Sequence, residues 1–133
     1  MPKDSPDLKY AIDILSRVWS YHSSKWNHKM NLEPDLRSVD LSDMELWGIN
    51  LNNFYLEKAN FSRCYLKNAN FDKAKLKRSD FHEADLTEAT FQDAEIQGAD
   101  FSGAVITQAQ IESSIGDIST ILPAHLSRPN SWM

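Results

Sequence analysis

Large apolar residues recur at every fifth position from Leu36 to Ile111, and the spacing does not change between them. A second column of mostly small residues lies two positions before each of them, as Ala59, Ala69 and Ala84 illustrate. A straight strand places residues five apart on opposite faces, and an α-helix rotates them to roughly 140° from the starting face. One core can serve both columns only if the chain turns a corner in every repeat, which predicts a β-solenoid.

The alternation of two apolar residue types predicts the number of sides. Phenylalanine recurs every ten residues, at Phe61, Phe71, Phe81, Phe91 and Phe101. Leucine or isoleucine fills the repeats between them. This alternation stays in vertical register only if each turn holds an even number of repeats. Three sides would mix Phe and Leu in every stack, whereas four sides keep them apart. We therefore predict four sides and twenty residues per turn, with Phe61, Phe81 and Phe101 stacked on one side.

Charged residues form a basic block over 58–78 and an acidic block over 80–112. When the chain is stacked at twenty residues, opposite charges from the two blocks become neighbours. The predicted neighbours are Asp43 with Arg63 and Glu83, Glu57 with Lys77, Lys73 with Asp93, and Lys75 with Glu95. Each such pair contributes roughly 0.2–1 kcal/mol. We interpret them first as solvated ladders that fix the stacking.

The units ANFSR, ANFDK, SDFHE, ADLTE and ADFSG resemble the pentapeptide-repeat family, whose consensus is A(D/N)LXX. The resemblance covers about 80 of the 133 residues, and the first four repeats depart from it by carrying larger residues in the alanine column. It implies a right-handed quadrilateral β-helix. The predicted fold class is thus an all-β solenoid, a right-handed quadrilateral β-helix of about four turns with an N-terminal helix cap and a C-terminal tail.

The ends of a solenoid expose its core and unpaired strand edges, so both ends need caps. We assign residues 1–35 to an N-terminal helix and lead-in, 36–115 to the β-helix and 116–133 to a C-terminal cap. Ser5, Pro6 and Asp7 form a helix start signal. The helix is predicted to run from about Pro6 to Tyr21 and either to cap the first turn or to pack on one wall.

The C-terminal cap begins where the five-residue register ends. Gly116 is predicted to break that register. The residues predicted to anchor the cap in the core are Ile118, Ile121, Leu122, Leu126 and Trp132.

Composition limits the classes of function. The net charge of −5 disfavours a general nucleic-acid binder, which needs a basic stripe. Met1 to Asp4 are followed by no apolar segment of a signal peptide, and no stretch approaches the length of a membrane span. The lone Cys64 lies in the small-residue column and is predicted to be buried. We expect a bacterial, cytoplasmic protein without direct nucleic-acid or membrane contacts.

Catalytic chemistry is not indicated. His82, Glu83 and Asp85 form the densest polar cluster, but two of them occupy adjacent outward positions and imply no pocket. A coil filled by Leu and Phe leaves no cavity for a substrate. We therefore predict no enzyme activity, no catalytic or metal-binding residues and no cofactor.

The function is predicted to lie on the outer surface, as a rigid protein-interaction module for an unidentified protein partner. Trp47, Tyr55 and Tyr65 occupy outward positions, and exposed aromatic residues are typical anchors at interfaces. They are the candidate interaction surface. The alternative is a structural role: contact with the N-terminal helix, or stacking of Trp47 on Lys67 and of Tyr55 on Lys75.

A second functional hypothesis comes from the resemblance. Some members of the family are acidic rods that resemble duplex DNA, bind type II topoisomerases such as gyrase and protect against quinolones. The acids that would carry this role are Asp80, Asp85, Glu88, Asp100 and Glu112. A rod of about four turns is only about 19 Å long, which disfavours this hypothesis. The oligomeric state is left open between a monomer and a homodimer that forms through an end cap.

Overall fold

The computed structural model of the protein describes residue 12 and residues 34–132. Ile12 is helical and buried. The predicted N-terminal helix otherwise lies outside the described residues, as does the choice between capping the first turn and packing on a wall. The described helices are an α-helix, Gln108–Glu112, and a 3-10 helix, Asn130–Trp132.

Successive turns stack at twenty residues. Parallel β-bridges pair residues twenty apart from Asp35 with Tyr55 through to Glu95 with Ile115, and each repeat contributes one short bridge instead of a long strand. Leu46 N–H donates to the carbonyl of Tyr65 at 2.8 Å, and Tyr65 N–H donates to the carbonyl of Met44 at 3.0 Å. This two-way pattern confirms the predicted twenty-residue turn.

Each five-residue repeat from Leu36 to Ala104 contains a tight turn. The N–H at the end of the turn donates to the carbonyl three residues earlier, as from Ala69 to Leu66 at 3.0 Å. The third turn residue has a positive φ, as at Asn68 (62°) and Arg78 (61°). A positive φ at this position alone is the pattern of a type II turn, which usually takes Gly or Asn there. Here the same backbone is also adopted by Lys, Arg and Glu.

Asn and Asp side chains fix these corners, as predicted. Where an Asn or Asp precedes an inward position, its side-chain oxygen accepts the backbone N–H two residues later. Asn60 accepts from Ser62 at 2.9 Å, and Asp100 accepts from Ser102 at 2.8 Å. These short side chains thereby satisfy turn N–H groups that the stacked turns leave free.

The core contains the two predicted inward columns. Phe61 stacks on Phe81, and Phe81 stacks on Phe101, each with ring centroids 5.0 Å apart. Phe71 meets Phe81 edge-on across the core at 5.4 Å. The Phe stacks therefore face each other as the alternation predicts, and alanine fills the corners between them.

The last repeat departs from the prediction. Ala109 was expected to point inward, but it is exposed because Gln108–Glu112 is helical. Thr107 caps this helix by accepting from Gln110 N–H, and the Gln110 side chain accepts the Thr107 N–H at 2.7 Å. Ile111 still enters the core. A local capping box therefore replaces one β-bridge without interrupting the inward column.

Gly116 ends the register, as predicted. Ile115 pairs with Glu95, twenty residues away, whereas Ile121 pairs with Asp100, twenty-one residues away. The extra residue shifts every later position by one. Ile121 consequently takes an outward place, and Thr120 takes the inward one.

This shift corrects the predicted anchors of the C-terminal cap. Trp132 is buried, and Leu122 and Leu126 pack against the core, but Ile118 and Ile121 are exposed. Thr120 Oγ1 donates to the carbonyl of Ile96 at 3.1 Å, so the inward place is held by a hydrogen-bonded hydroxyl.

The charge ladders agree with the prediction in part. Arg63 donates to both carboxylate oxygens of Asp43, at 2.7 and 3.1 Å. Lys77 was expected beside Glu57, but it lies 3.5 Å from Glu95. Both acids lie in turns adjacent to that of Lys77, which pairs with the diagonal one. Such exposed pairs contribute little to stability.

Candidate functional site

One side of the coil carries the exposed aromatic residues. We call it the aromatic wall and define it as residues 44–48, 64–68, 84–88 and 104–106. Trp47 is 62% exposed and Tyr65 is 51% exposed. Their rings meet edge-to-face with centroids 6.5 Å apart. The two rings therefore share one side of the coil.

The stacking explains how this pair is positioned. Glu45 pairs with Tyr65 in adjacent turns, and Trp47 lies two residues beyond Glu45 on the same side. Gly48 follows Trp47 at the corner with φ of 67°, and a Cβ there would meet no atom of the described residues within 4 Å. The indole therefore stands beside an open corner, accessible to a partner.

Tyr55 belongs to a different side of the coil. It is half-buried, and the Lys75 ammonium lies 5.0 Å from its ring centroid. This confirms the predicted stacking of Tyr55 on Lys75. Trp47 meets Tyr65, and no contact of its ring with the Lys67 ammonium is found in the described part of the chain. The structure thus brings together two of the three candidate aromatic residues.

The five candidate acidic residues lie on three sides of the coil. Asp80 and Asp100 are bridged in one column, Asp85 and Glu88 belong to the aromatic wall, and Glu112 ends the short helix. Asp80, Asp85 and Asp100 are half-buried. Each accepts the backbone N–H two residues later, from His82, Thr87 and Ser102. These three carboxylates are therefore also structural groups of the corners.

The His82 cluster remains a surface feature. His82 Nδ1 lies 3.0 Å from Ser102 Oγ, and Nε2 lies 3.4 Å from Glu83. Within residues 34–132 and at residue 12, no group of three or more His, Cys, Asp or Glu side chains could hold a metal ion. The helices in this part of the chain are all too short and polar to cross a membrane.

The sequence reasoning did not find an apolar patch at the C-terminal end. Val105, Ile115 and Ile121 occupy outward bridge positions and are exposed, and Ile118 between them is 74% exposed. Other turns place Asp, Glu, Lys, Asn or Tyr in these columns. Apolar residues at outward positions could have predicted this patch. The change of register after Gly116, however, made Ile121 look like an inward residue.

Cys64 is buried, as predicted, and its Sγ donates to the carbonyl of Leu41 at 2.8 Å. Burial raises the pKa of the thiol from 9.0 to about 11. The thiolate is the reactive form of cysteine, so this thiol is inert at neutral pH.

We predict an alkaline loss of stability that depends on Cys64. Because the folded pKa is raised, the stabilisation is fully present below pH 9.0 and is lost as the pH rises toward about 11. The loss should reach roughly 2–3 kcal/mol. Urea denaturation at several pH values should show it in the native protein and not in Cys64→Ala, which carries the residue usual in that column. A constant difference between the two proteins across this pH range would contradict the burial of the thiol.

The comparisons with known proteins agree with this architecture. The family model for pentapeptide repeats matches residues 35–72 and 64–103, with 8 copies of the repeat. The chain belongs to the pentapeptide repeat family. Proteins of this family fold as right-handed quadrilateral β-helices and are generally non-catalytic. No curated protein matches the sequence.

Solved pentapeptide repeat proteins resemble the chain. One from the Arabidopsis thaliana thylakoid lumen is 29% identical with a TM-score of 0.55, covering 65% of this chain and 59% of its own. One from Nostoc Pcc 7120 is 19% identical with a TM-score of 0.53, covering 86% and 88%. Rfr23 from Cyanothece 51142 is 26% identical with a TM-score of 0.47, covering 66% and 63%. The chain thus spans about three fifths of the first and third of these proteins.

Proposed function

We propose that this pentapeptide repeat protein is a rigid, non-catalytic protein-interaction module of the cytoplasm that binds its partner through the aromatic wall. The observation that supports this proposal is the exposed edge-to-face pair of Trp47 and Tyr65. Trp and Tyr are enriched among the few residues that dominate the binding energy of protein interfaces. The aromatic wall presents two of them side by side.

The coil is suited to hold this pair in place. Main-chain hydrogen bonds run to both neighbouring turns, and the inward residues beneath the wall, Leu46, Leu66 and Leu86, are fully buried. A preorganised surface loses little conformational entropy on binding. We propose a rod of about four turns in residues 36–115, with residues 1–35 and 116–133 as its caps, that presents the pair as a fixed anchor.

A second hypothesis is an acidic DNA mimic that binds gyrase. One observation favours it: Asp40, Asn60, Asp80 and Asp100 form a single column without a basic residue. The hydrogen bonds that Asp80 and Asp100 make to corner N–H groups weigh against it, because these carboxylates are partly engaged. Their role in the corners is sufficient to explain them.

The two hypotheses predict opposite effects of two variants. We expect Trp47→Ala to abolish capture of the partner from a lysate of the source organism, because the variant removes the anchor. The double variant Asp80→Asn/Asp100→Asn should capture it normally. Quantitative mass spectrometry of the captured proteins measures both. Asn is a faithful replacement, since Asn60 and Asn70 fix corners in the same way.

Gyrase supercoiling provides the complementary measurement. We expect micromolar protein to leave the reaction unchanged, with or without a quinolone. Inhibition or protection that disappears in Asp80→Asn/Asp100→Asn, and persists in Trp47→Ala, would overturn the interaction-module proposal in favour of the DNA mimic.

A further inference from the structure

We propose that the aromatic wall receives a basic segment of its partner, with an arginine or lysine side chain held against Tyr65 between the carboxylates of Glu45 and Asp85. This inference rests on the proposed function, because it names the chemistry of the partner at the same wall. The juxtaposition comes from the stacking of turns.

Glu45, Tyr65 and Asp85 occupy one outward column. Parallel bridges join Glu45 to Tyr65 and Tyr65 to Asp85, which places the three residues in consecutive turns about 4.8 Å apart. Glu45 and Tyr65 are exposed, and Asp85 is half-buried. An aromatic ring with a carboxylate in the turn on either side combines the two groups that attract a cation: a π face and a negative charge.

Another side of the coil contains the same combination of a ring and a carboxylate, and there a cation lies between them. There the column runs Tyr55, Lys75, Glu95, and the Lys75 ammonium lies 5.0 Å from the Tyr55 ring centroid. In the aromatic wall, the place that corresponds to Lys75 is taken by Asp85. Within the described residues the column thus has the ring and the acids but no cation, and we infer that the partner supplies the cation.

The other charges of the aromatic wall favour the same partner. Glu88 and Lys67 lie in the neighbouring columns, so the wall carries three carboxylates against one ammonium. Among the described residues, no ion pair or hydrogen bond engages Glu45. Asp85 accepts from Thr87 N–H and Oγ1 through Oδ1 only, at 3.1 and 2.5 Å. Its Oδ2 has no hydrogen-bond donor in the described part of the chain.

Trp47 extends the surface that a basic segment would cover. Its ring meets Tyr65 edge-on, which leaves indole surface exposed beside the column. Arginine stacks on aromatic faces and pairs with carboxylates in a fork geometry, so it fits this combination better than lysine. An acidic segment would instead meet the carboxylates of Glu45, Asp85 and Glu88 and be repelled.

The test is an NMR titration of the full chain with a capped Gly-Arg-Gly-Arg-Gly peptide. The reporters are the indole N–H of Trp47, assigned with Trp47→Phe, and the amides of the aromatic wall. We expect these signals to shift at peptide concentrations up to about 1 mM. Binding should weaken about tenfold between about 0.02 and about 0.3 M salt, because the attraction is between exposed charges. The same peptide with citrulline in place of arginine should bind at least about tenfold more weakly.

A matched pair of variants locates the effect. Glu45→Gln/Asp85→Asn removes two charges from the column, and Asp80→Asn/Asp100→Asn removes two charges from the neighbouring side. Asn at 85 keeps the corner, since Asn50, Asn60 and Asn70 accept the same backbone N–H. We expect the first variant to weaken the arginine peptide about tenfold and the second to change it less than about twofold.

Three outcomes would overturn the inference. They are no shift at the aromatic wall up to about 1 mM peptide, equal effects of the two double variants, and tighter binding of a Gly-Glu-Gly-Glu-Gly peptide. None of them overturns the proposed function, which is decided by partner capture. If Trp47→Ala abolishes capture while the arginine peptide does not bind, the wall is an interaction surface for a partner of another chemistry. If Trp47→Ala captures the partner normally, the proposed function fails, and the titration still decides whether the wall binds cations.

Discussion

Phe81→Ala is expected to lower the free energy of unfolding by about 3–5 kcal/mol. Phe81 is fully buried in the middle of the coil, with the rings of Phe61 and Phe101 stacked on it at 5.0 Å. It also meets Phe71 and Phe91 edge-on, at 5.4 and 6.0 Å. Removing the ring leaves a cavity that four neighbouring rings line. Those rings are fixed by the main chain on every side, so the cavity cannot close without moving the turns.

The matched control is Glu83→Ala, two residues along the same side of the coil. Glu83 is exposed, and its carboxylate contact is with His82 at 3.4 Å. The expected cost is under about 1 kcal/mol, because exposed ion pairs contribute little. Guanidinium denaturation of both variants measures the difference. Equal losses would show that the inward and outward columns have been exchanged.

The repetitive part of the fold was predictable because its signals are redundant. The five-residue spacing gives a corner in every repeat, and the alternation of Phe with Leu and the pairing of Asp43 with Arg63 each indicate the twenty-residue turn independently. A side chain that breaks one signal leaves the others intact. The larger residues of the first repeats, such as Met44 and Phe54, therefore did not obscure the fold and are buried in the predicted column.

The C-terminal end was less predictable because its signals conflict. Ile106 and Ile111 keep the five-residue spacing, which conceals the capping box between Thr107 and Gln110 that makes the chain helical. A single extra residue at Gly116 then exchanges inward and outward places. Because side chains alternate along extended backbone, this shift explains why Ile121 was assigned to the core and lies outside it.

The sequence predicted which aromatic residues point outward at the candidate site, but not which of them stay exposed. The repeat places Trp47, Tyr55 and Tyr65 outside the core, but it does not distinguish a ring that a neighbour covers from one that stays exposed. Lys75 covers Tyr55 because it stands in the next turn of the same column. Tyr65 has Asp85 in that place. The difference between a covered and an exposed ring can be predicted from the sequence only when the twenty-residue stacking is applied to each outward column separately.

Trp132→Ala is expected to cost about 3–5 kcal/mol and to open the C-terminal end of the coil. Trp132 is buried, and its ring lies against Gly116 so closely that a Cβ there would fall 2.6 Å from the indole. The indole thus covers the end of the core with no room for a side chain at residue 116. Gly116→Val should therefore displace Trp132 and produce a similar loss. Guanidinium denaturation gives the magnitude, and faster hydrogen exchange at the Ile115 and Ile121 amides gives the location.

The control for this prediction is Ile118→Ala. Ile118 is a large apolar residue of the same segment, but it is exposed, so its truncation should cost less than about 0.5 kcal/mol. Both variants remove an apolar side chain near the same end of the coil, but only Trp132 is buried. The difference between their free energies of unfolding therefore measures the effect of burial. If Ile118→Ala destabilises the protein as much as Trp132→Ala, the cap is held by the opposite side of the segment. The patch of Ile115, Ile118 and Ile121 would then belong to the inner face of the cap together with Trp132.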